Sequence, residues 1–217
     1  TVMGFGISEG SYVVDMLGTS LLQFNFSENW MRILGKDFIS PLASNSHNYY
    51  LYTLRDSTFI DGVKCYEIKL ELRRASDLGF WGTMWIADST FALKRISAEI
   101  SRNANINFIE RLKIQQEQLP TAAGPWLPVK TRAIIELARV TDNTGGFVAK
   151  MYRANSNLVV NQPKPDEFFD VAIERENSSN EKDSTFWANT RPEQFTATER
   201  QMFTLIDSVK NLPIVRT

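Results

Sequence analysis

The stretch Leu78–Ser101 constrains this chain more than any other, because two runs rich in aromatic and β-branched residues flank Asp88-Ser89-Thr90. That is the pattern of an antiparallel hairpin whose loop exceeds the two-residue minimum. In the first run Trp81, Thr83 and Trp85 share one parity while Phe80, Met84 and Ile86 share the other, so both faces of the strand carry large side chains. In the second, Phe91 and Leu93 set one phase, and Ile96, Ala98 and Ile100 take the opposite one after Lys94-Arg95. A change of phase without an inserted residue would turn the buried face to water, so the sequence predicts a β-bulge at this point. The architecture implied is a large antiparallel sheet.

A chain of 217 residues suits one sheet-based domain, and residues 1–217 read as such a unit. No segment approaches the roughly 18 consecutive apolar residues of a membrane-spanning helix. A net charge of −1 argues against a nucleic-acid partner, which requires a basic face. The single cysteine, Cys65, excludes an internal disulfide, and its place inside an alternating strand marks it as a small buried side chain. The chain starts at Thr1 without a charged n-region or apolar signal core, and reads as a piece excised from a longer protein.

Taken in order, residues 11–26 suggest one or two strands. Ser27 as N-cap, with Glu28 in the first turn, predicts a short helix to about Lys36 carrying Trp30, Ile33, Leu34 and Phe38 on one side, ended by Gly35 and Ile39-Ser40-Pro41. Tyr49, Tyr50 and Tyr52 begin a strand, and Asp61-Gly62 makes the next turn. From Lys64 to Arg73 the alternation is clean, with Tyr66, Ile68, Leu70 and Leu72 on one face and Cys65, Glu67, Lys69, Glu71 and Arg73 on the other. A further strand is expected over Asn105–Leu119 through Ile106, Phe108, Leu112 and Ile114, then a loop of Pro120, Gly124, Pro125 and Pro128 around Trp126. Two more strands, Val129–Thr141 and Phe147–Val160, are joined by the turn-rich 142–146, with Arg132, Arg139, Lys150 and Arg153 on a solvated outer face. A polar loop is expected over 174–184. Thr196 and Glu199 form a capping box, and Met202, Leu205, Ile206, Val209 and Leu212 then recur at helical spacing, which predicts a C-terminal helix over about 197–211 with one apolar stripe.

Chemistry is sparse. Gly6-Ile7-Ser8-Glu9-Gly10 has the spacing of a nucleophile elbow, yet no buried strand precedes it and the only histidine, His47, lies in an Asn- and Ser-rich loop. One histidine and one cysteine do not make a zinc site, and Asp166, Glu167 and Asp170 lack the spacing of a calcium loop. Phosphate-cradling glycine loops are absent, and neither a cofactor nor a metal is expected. What remains is shape: a broad sheet with one apolar face, closed over by helices, either packs solid or leaves a concave pocket for an apolar guest.

Phe38-Ile-Ser-Pro-Leu-Ala43, Tyr49-Tyr50, Phe59-Ile60-Asp61-Gly62 with Cys65-Tyr66, Gly82-Thr-Met-Trp-Ile-Ala-Asp88, Ala104-Asn-Ile-Asn-Phe108 and the later Trp187, Arg191 and Glu199 resemble an uncharacterised bacterial family. In that family the domain follows a carboxypeptidase-regulatory-like β-sandwich and precedes an outer-membrane β-barrel. The segment Gly82–Asp88 is also similar to the periplasmic lipoprotein-carrier fold, an unclosed β-barrel whose concave face is plugged by helices and holds acyl chains. The resemblances imply a periplasmic domain of an outer-membrane protein. A tethered domain cannot shuttle between membranes, so binding or scaffolding is implied rather than transport.

The fold expected is therefore mainly β, an unclosed half-barrel with helices, including the C-terminal one, on its concave face. The function expected is non-enzymatic binding of a lipid, lipoprotein, other apolar ligand or partner envelope protein. Tyr66, Ile68, Leu70, Leu72, Met84, Ile86, Ile106 and Phe108 are expected to line the interior, and Met202, Leu205, Ile206 and Val209 to form its lid. Two alternatives stay open: a structural spacer with a solid core, and a hydrolase acting through two carboxylates facing one cleft.

Overall fold

The computed structural model describes residues 24–33, 35–100, 104, 106, 109–137, 147–163, 165 and 185. Apart from Thr185 these belong to one compact unit, Val2–Asp170. The expected lid residues Met202, Leu205, Ile206 and Val209, the rest of the C-terminal helix, Phe108 and the Gly6–Gly10 motif lie outside the described residues.

Among the described residues nine strands follow in chain order: β1 (Trp30–Ile33), β2 (Lys36–Ile39), β3 (Tyr50–Ile60), β4 (Val63–Leu72), β5 (Trp81–Ala87), β6 (Leu93–Ile100), β7 (Ile109–Pro120), β8 (Trp126–Leu137) and β9 (Phe147–Ala154). Strands β3 to β9 form a seven-stranded antiparallel sheet in which each strand pairs with its chain neighbours, and β3 does not meet β9, so the sheet is unclosed. β1 and β2 make a separate two-stranded hairpin.

The organising hairpin is β5 and β6. Trp85 pairs with Arg95 and Ile86 with Leu93, which leaves Lys94 as the inserted residue. This is the bulge that the phase change requires. Asp61 (φ 50°) and Gly62 (φ +78°) form the two-residue turn between β3 and β4, with Ile60 paired to Val63. Positive φ at both positions is the primed turn whose twist matches the flanking strands, and Asp-Gly accommodates it.

The helix expected over 27–36 is not found; no α-helix occurs among the described residues between 24 and 163. Trp30–Ile33 is strand β1, with Met31 and Ile33 buried and Trp30 and Arg32 exposed, and Gly35 (φ +81°) leads into β2. Ser27 caps nothing; its N–H donates to Asn25 Oδ1 in a local turn. Pro128, expected in a loop, lies inside β8 opposite Gln118 and beside a register shift, a position where the sheet tolerates a missing donor.

One face of the sheet is apolar. Leu70, Met84, Ile86, Leu93, Ile96, Ala98, Ile100, Leu112, Ile114, Ala133 and Ile135 are buried there, in one cluster with Phe24, Phe26, Met31, Ile33 and Phe38 of the hairpin segment. The β1–β2 hairpin thus belongs to the core that covers this face. Phe80 joins the two layers, with ring centroids 5.5 Å from Phe26 and 5.8 Å from Phe38. All three rings are fully buried, each stabilising the fold by about 2–3 kcal/mol. The opposite face carries cross-strand ion pairs, Lys113–Glu99 at 2.8 Å, Arg95–Glu117 at 3.5 Å, and Arg111–Glu136.

Hydrogen bonds fix where the hairpin sits. Tyr50 Oη donates to Ile39 O (2.7 Å) and accepts from Phe80 N (3.0 Å). Ser40 Oγ donates to Phe26 O (2.6 Å), and Gln116 Nε2, buried within the sheet, donates to Phe24 O (2.8 Å). Tyr50→Phe should keep the ring and strand both Ile39 O and Phe80 N–H, at a cost of about 1–3 kcal/mol read as a lower urea midpoint. Gly82, at φ +146°, packs so closely under β6 that a Cβ would overlap Ser97 O. Gly82→Ala should therefore cost on the order of 3 kcal/mol or more. Gly62→Ala, which meets open space and carries only the backbone penalty, should cost about 1–2 kcal/mol in the same assay.

Candidate functional site

Strand register decides where the expected lining residues go. Tyr66, Ile68 and Leu70 of β4 pair with Ile86, Met84 and Gly82 of β5 on the apolar face. Leu70, Met84, Ile86 and Ile106 are buried in the main core, and Ile68 is half-buried against it. Leu72 packs instead with Ile39, Ala43 and Tyr50 in a second, smaller cluster. Tyr66 is half-buried. The strand residues among them share one face, with Leu70, Met84 and Ile86 buried and Tyr66, Ile68 and Leu72 half-buried.

Exposure continues to rise outward. In β3, Tyr52 pairs with Leu70 and Leu54 with Ile68, so both side chains extend the apolar face one strand further. There the cover stops: every residue from Leu51 to Phe59 is exposed, Leu54 to 65% and Phe59 to 72%. The apolar face thus runs from a sealed centre to an open margin at β3.

The charged face holds one unusual group. The bulge places Lys94, fully buried, with Nζ 2.9 Å from Asp61 Oδ2 and 3.2 Å from Glu117 Oε1. Glu117 also reaches Arg95. A buried ammonium needs such partners, since desolvation without them costs several kcal/mol. The hydrogen bond from Lys94 is the largest influence on Asp61 and holds its carboxyl below the ordinary value. The cluster ties the β3–β4 turn to β6 and β7, and it offers no free acid or base to a substrate.

Other chemistry-bearing residues are engaged in architecture. Cys65 is buried, its Sγ donates to Val63 O (3.4 Å), and burial pushes its thiol up, away from thiolate reactivity. His47 sits in a 3-10 turn, Ser46–Asn48, and its carbonyl accepts from Arg73 Nε (2.9 Å). Among the described residues no group of three His, Cys, Asp or Glu is placed to hold a metal, and no helix is long and apolar enough to cross a membrane.

Two features escape a reading of the sequence. Gln116 and Gln118 are buried on the apolar face, where Gln118 Nε2 donates to Gln116 Oε1 (3.1 Å) and Gln116 Nε2 to Thr131 Oγ1 (3.2 Å). Their parity continues that of Leu112 and Ile114, which is the signal that places them inside. The open margin at β3 has no such local signal, because Leu51, Tyr52, Leu54 and Phe59 read as core.

A family model described as a family of unknown function, DUF5686, matches residues 8–155. No curated protein and no solved structure matches the chain.

The charge cluster gives a pH dependence whose sign follows from Asp61. Because its folded value lies below the unfolded 3.8, the interaction stabilises the fold fully above that pH and is lost as pH falls through the lower folded value. Asp61→Asn keeps a residue suited to the primed turn and removes the charge. The variant should show a lower urea midpoint at neutral pH and a flatter decline than the wild type below about pH 4.

Proposed function

This chain belongs to the family of unknown function DUF5686, and we propose that it serves as a non-enzymatic binding domain on the periplasmic side of the bacterial outer membrane, taking a lipid, lipoprotein or other apolar ligand or a partner protein. The observation that carries this reading is the apolar face that is buried beneath the β1–β2 hairpin, half-buried at Ile68 and Tyr66, and exposed at Tyr52 and Leu54 of β3. Contiguous exposed apolar surface at the rim of a sheet is a place for association.

The non-enzymatic reading is supported by what the motif residues do among the described residues. Ser40, Tyr50, Asp61, Cys65 and Gly82, all within the segments that carry the family resemblance, are spent on hydrogen bonds, a turn, core packing and a close strand approach. The periplasmic placement rests on the resemblance to a domain set between a β-sandwich and an outer-membrane barrel, and on the likeness of Gly82–Asp88 to the lipoprotein-carrier fold.

A second reading, a spacer with a solid core, is favoured by the complete burial of Leu70, Ile96, Leu112, Ile114 and Ile135 under the hairpin. Native mass spectrometry of the purified chain with a fluorescent fatty-acid titration separates the two. Saturable binding, weakened by Leu54→Glu or Ile68→Glu, is expected for an apolar-ligand domain. No co-purified lipid and no saturation would remove the lipid ligand and leave partner docking or spacing.

A further inference from the structure

Strand β3 is an edge: among the described residues β4 is its only strand neighbour. Its eleven residues make it long for an edge strand, which proteins usually shorten or cover to prevent unwanted pairing. Two main-chain bonds show which of its groups point away from the sheet. Arg73 N donates to Tyr49 O (2.8 Å), so alternation gives the bonds with β4 to Leu51 and Thr53 and turns those of Tyr52 and Leu54 outward. Beyond the bulge at Arg55 the phase changes. Lys64 O is turned to the β5 side, where it accepts from Asp88 N (2.9 Å), so Phe59 opposite Lys64 faces outward, and Ser57 with it. The Ser57 N–H accordingly donates to Asp56 Oδ1 (2.7 Å) rather than to β4. At the other end the Tyr50 carbonyl is taken by Arg73 Nε (3.0 Å), which leaves 52–59 as the stretch open to pairing.

The bulge makes this stretch complementary to itself. The outward residues Tyr52, Leu54, Ser57 and Phe59 are symmetric about the midpoint between Arg55 and Asp56. A two-fold axis at that point sets Leu54 opposite a second copy's Ser57 and Tyr52 opposite its Phe59, each pair exchanging two main-chain bonds. No other two-fold antiparallel register pairs all four. On the apolar face this register brings together two exposed rings, Tyr52 and the second copy's Phe59, and the hydroxyl of Tyr52 already holds its ring in place by donating to Pro41 O (2.8 Å). On the other face Thr53 meets Thr58, and Arg55 meets Asp56. Aromatic, Thr–Thr and opposite-charge pairs are the kinds that stabilise antiparallel strands. Within one chain Asp56 stands opposite Glu67, like against like, and Arg55, Asp56 and Glu67 have no ion-pair partner among the described residues. A second copy's Arg55 supplies the missing cation, and symmetry supplies it twice.

We propose that β3 is the interface of a two-fold dimer of this chain, in which two edges join antiparallel about the midpoint of Arg55 and Asp56 and the two seven-stranded sheets run on as one. Asp56 turns from the Ser57 N–H to the second copy's Arg55, and that N–H passes to the second copy's Leu54 carbonyl. The inference goes beyond the binding reading and does not rest on it. The apolar faces of the two copies lie on the same side of the joined sheet, whatever they take.

Sedimentation of the whole chain should show a concentration-dependent dimer that added salt weakens. Arg55→Glu sets acid against acid at both symmetric positions, and Asp56→Lys sets cation against cation. Each should weaken the dimer about tenfold or more. Mixed one to one, the two variants restore opposite charges at both positions, and association should return to near the wild-type value. Amide exchange reads the same interface without a substitution: Tyr52, Leu54, Ser57 and Phe59 should exchange more slowly as concentration rises, and Leu51 and Thr53, already bonded to β4, should change less. If a variant lowers Tm, exchange in the wild type decides the question. A chain that stays monomeric to about 1 mM overturns the proposal, even where it takes up an added extended peptide, which would assign the edge to a separate protein. So does a dimer indifferent to both variants, a mixture of the folded variants that fails to associate, or a dimer whose β3 amides exchange as fast as the monomer's. The fatty-acid titration on the same samples keeps the two readings apart, since lipid binding by a monomer removes the dimer alone and a dimer without lipid binding removes the lipid alone.

Discussion

An unclosed sheet with one apolar face has two exposed liabilities, the face and the edges, and a closed barrel would remove both. Here the face is managed by the β1–β2 hairpin and the phenylalanines before it. Burial supplies the driving force but no direction, because the hydrophobic effect scales with area and is indifferent to register. Direction comes from a few buried hydrogen bonds: Tyr50 Oη between Ile39 O and Phe80 N, Ser40 Oγ on Phe26 O, and Gln116 Nε2 on Phe24 O. Each ties the cover to itself or to the sheet at a named position, and each would leave a desolvated partner if broken. A glutamine inside an apolar face looks misplaced until it is seen to hold a backbone carbonyl of the cover.

The bulge at Lys94 solves a second problem. Leu93 and Ile96 both belong to the core, three residues apart, which no uninterrupted strand allows. Inserting one residue restores the phase but directs an additional side chain, a lysine, onto the other face within the protein. Asp61 and Glu117 neutralise it there. Asp61 has two duties, since it also adopts the positive φ of the β3–β4 turn. One aspartate therefore links local turn chemistry to a contact with a strand three places away in the sheet.

Those same features explain what the sequence discloses and what it conceals. The β5–β6 hairpin, its bulge, the Asp61-Gly62 turn and the alternation of β4 and β7 are local signals, set by periods of two and by residues that tolerate φ > 0, and they are legible. The segment 27–36 is not. Strands of four residues offer too few positions to fix a period, and the spacing of Trp30 and Ile33 suits a helix as well as a hairpin. Met31, which a helix would have placed off the apolar side, is the residue that distinguishes them, because it is buried beside Ile33. Pro128 misleads in a similar way, since a proline signals a loop unless a bulge absorbs its missing N–H. Of the expected lining residues, the face they share is readable from parity, whereas the depth at which each lies depends on what covers it, and the cover comes from far away in sequence. For β3 the failure is complete: Leu51, Tyr52, Leu54 and Phe59 have the composition of a central strand, and central or edge position is not a local property.

The burial pattern of β3 gives its exposure a physical meaning. Tyr50 at one end is fully buried and hydrogen-bonded on both sides of its hydroxyl, and Ile60 at the other end is buried next to a turn held by Lys94. Between these anchors every residue is open on both faces. A frayed edge would have to order its own backbone before it could pair with anything, at roughly 1–2 kcal/mol per residue. A strand clamped at both ends and laddered to β4 has met that cost during folding. The cover that seals the apolar face and the charge cluster that tolerates the bulge thus have a common consequence, since each fixes one end of the margin that the rest of the sheet leaves open.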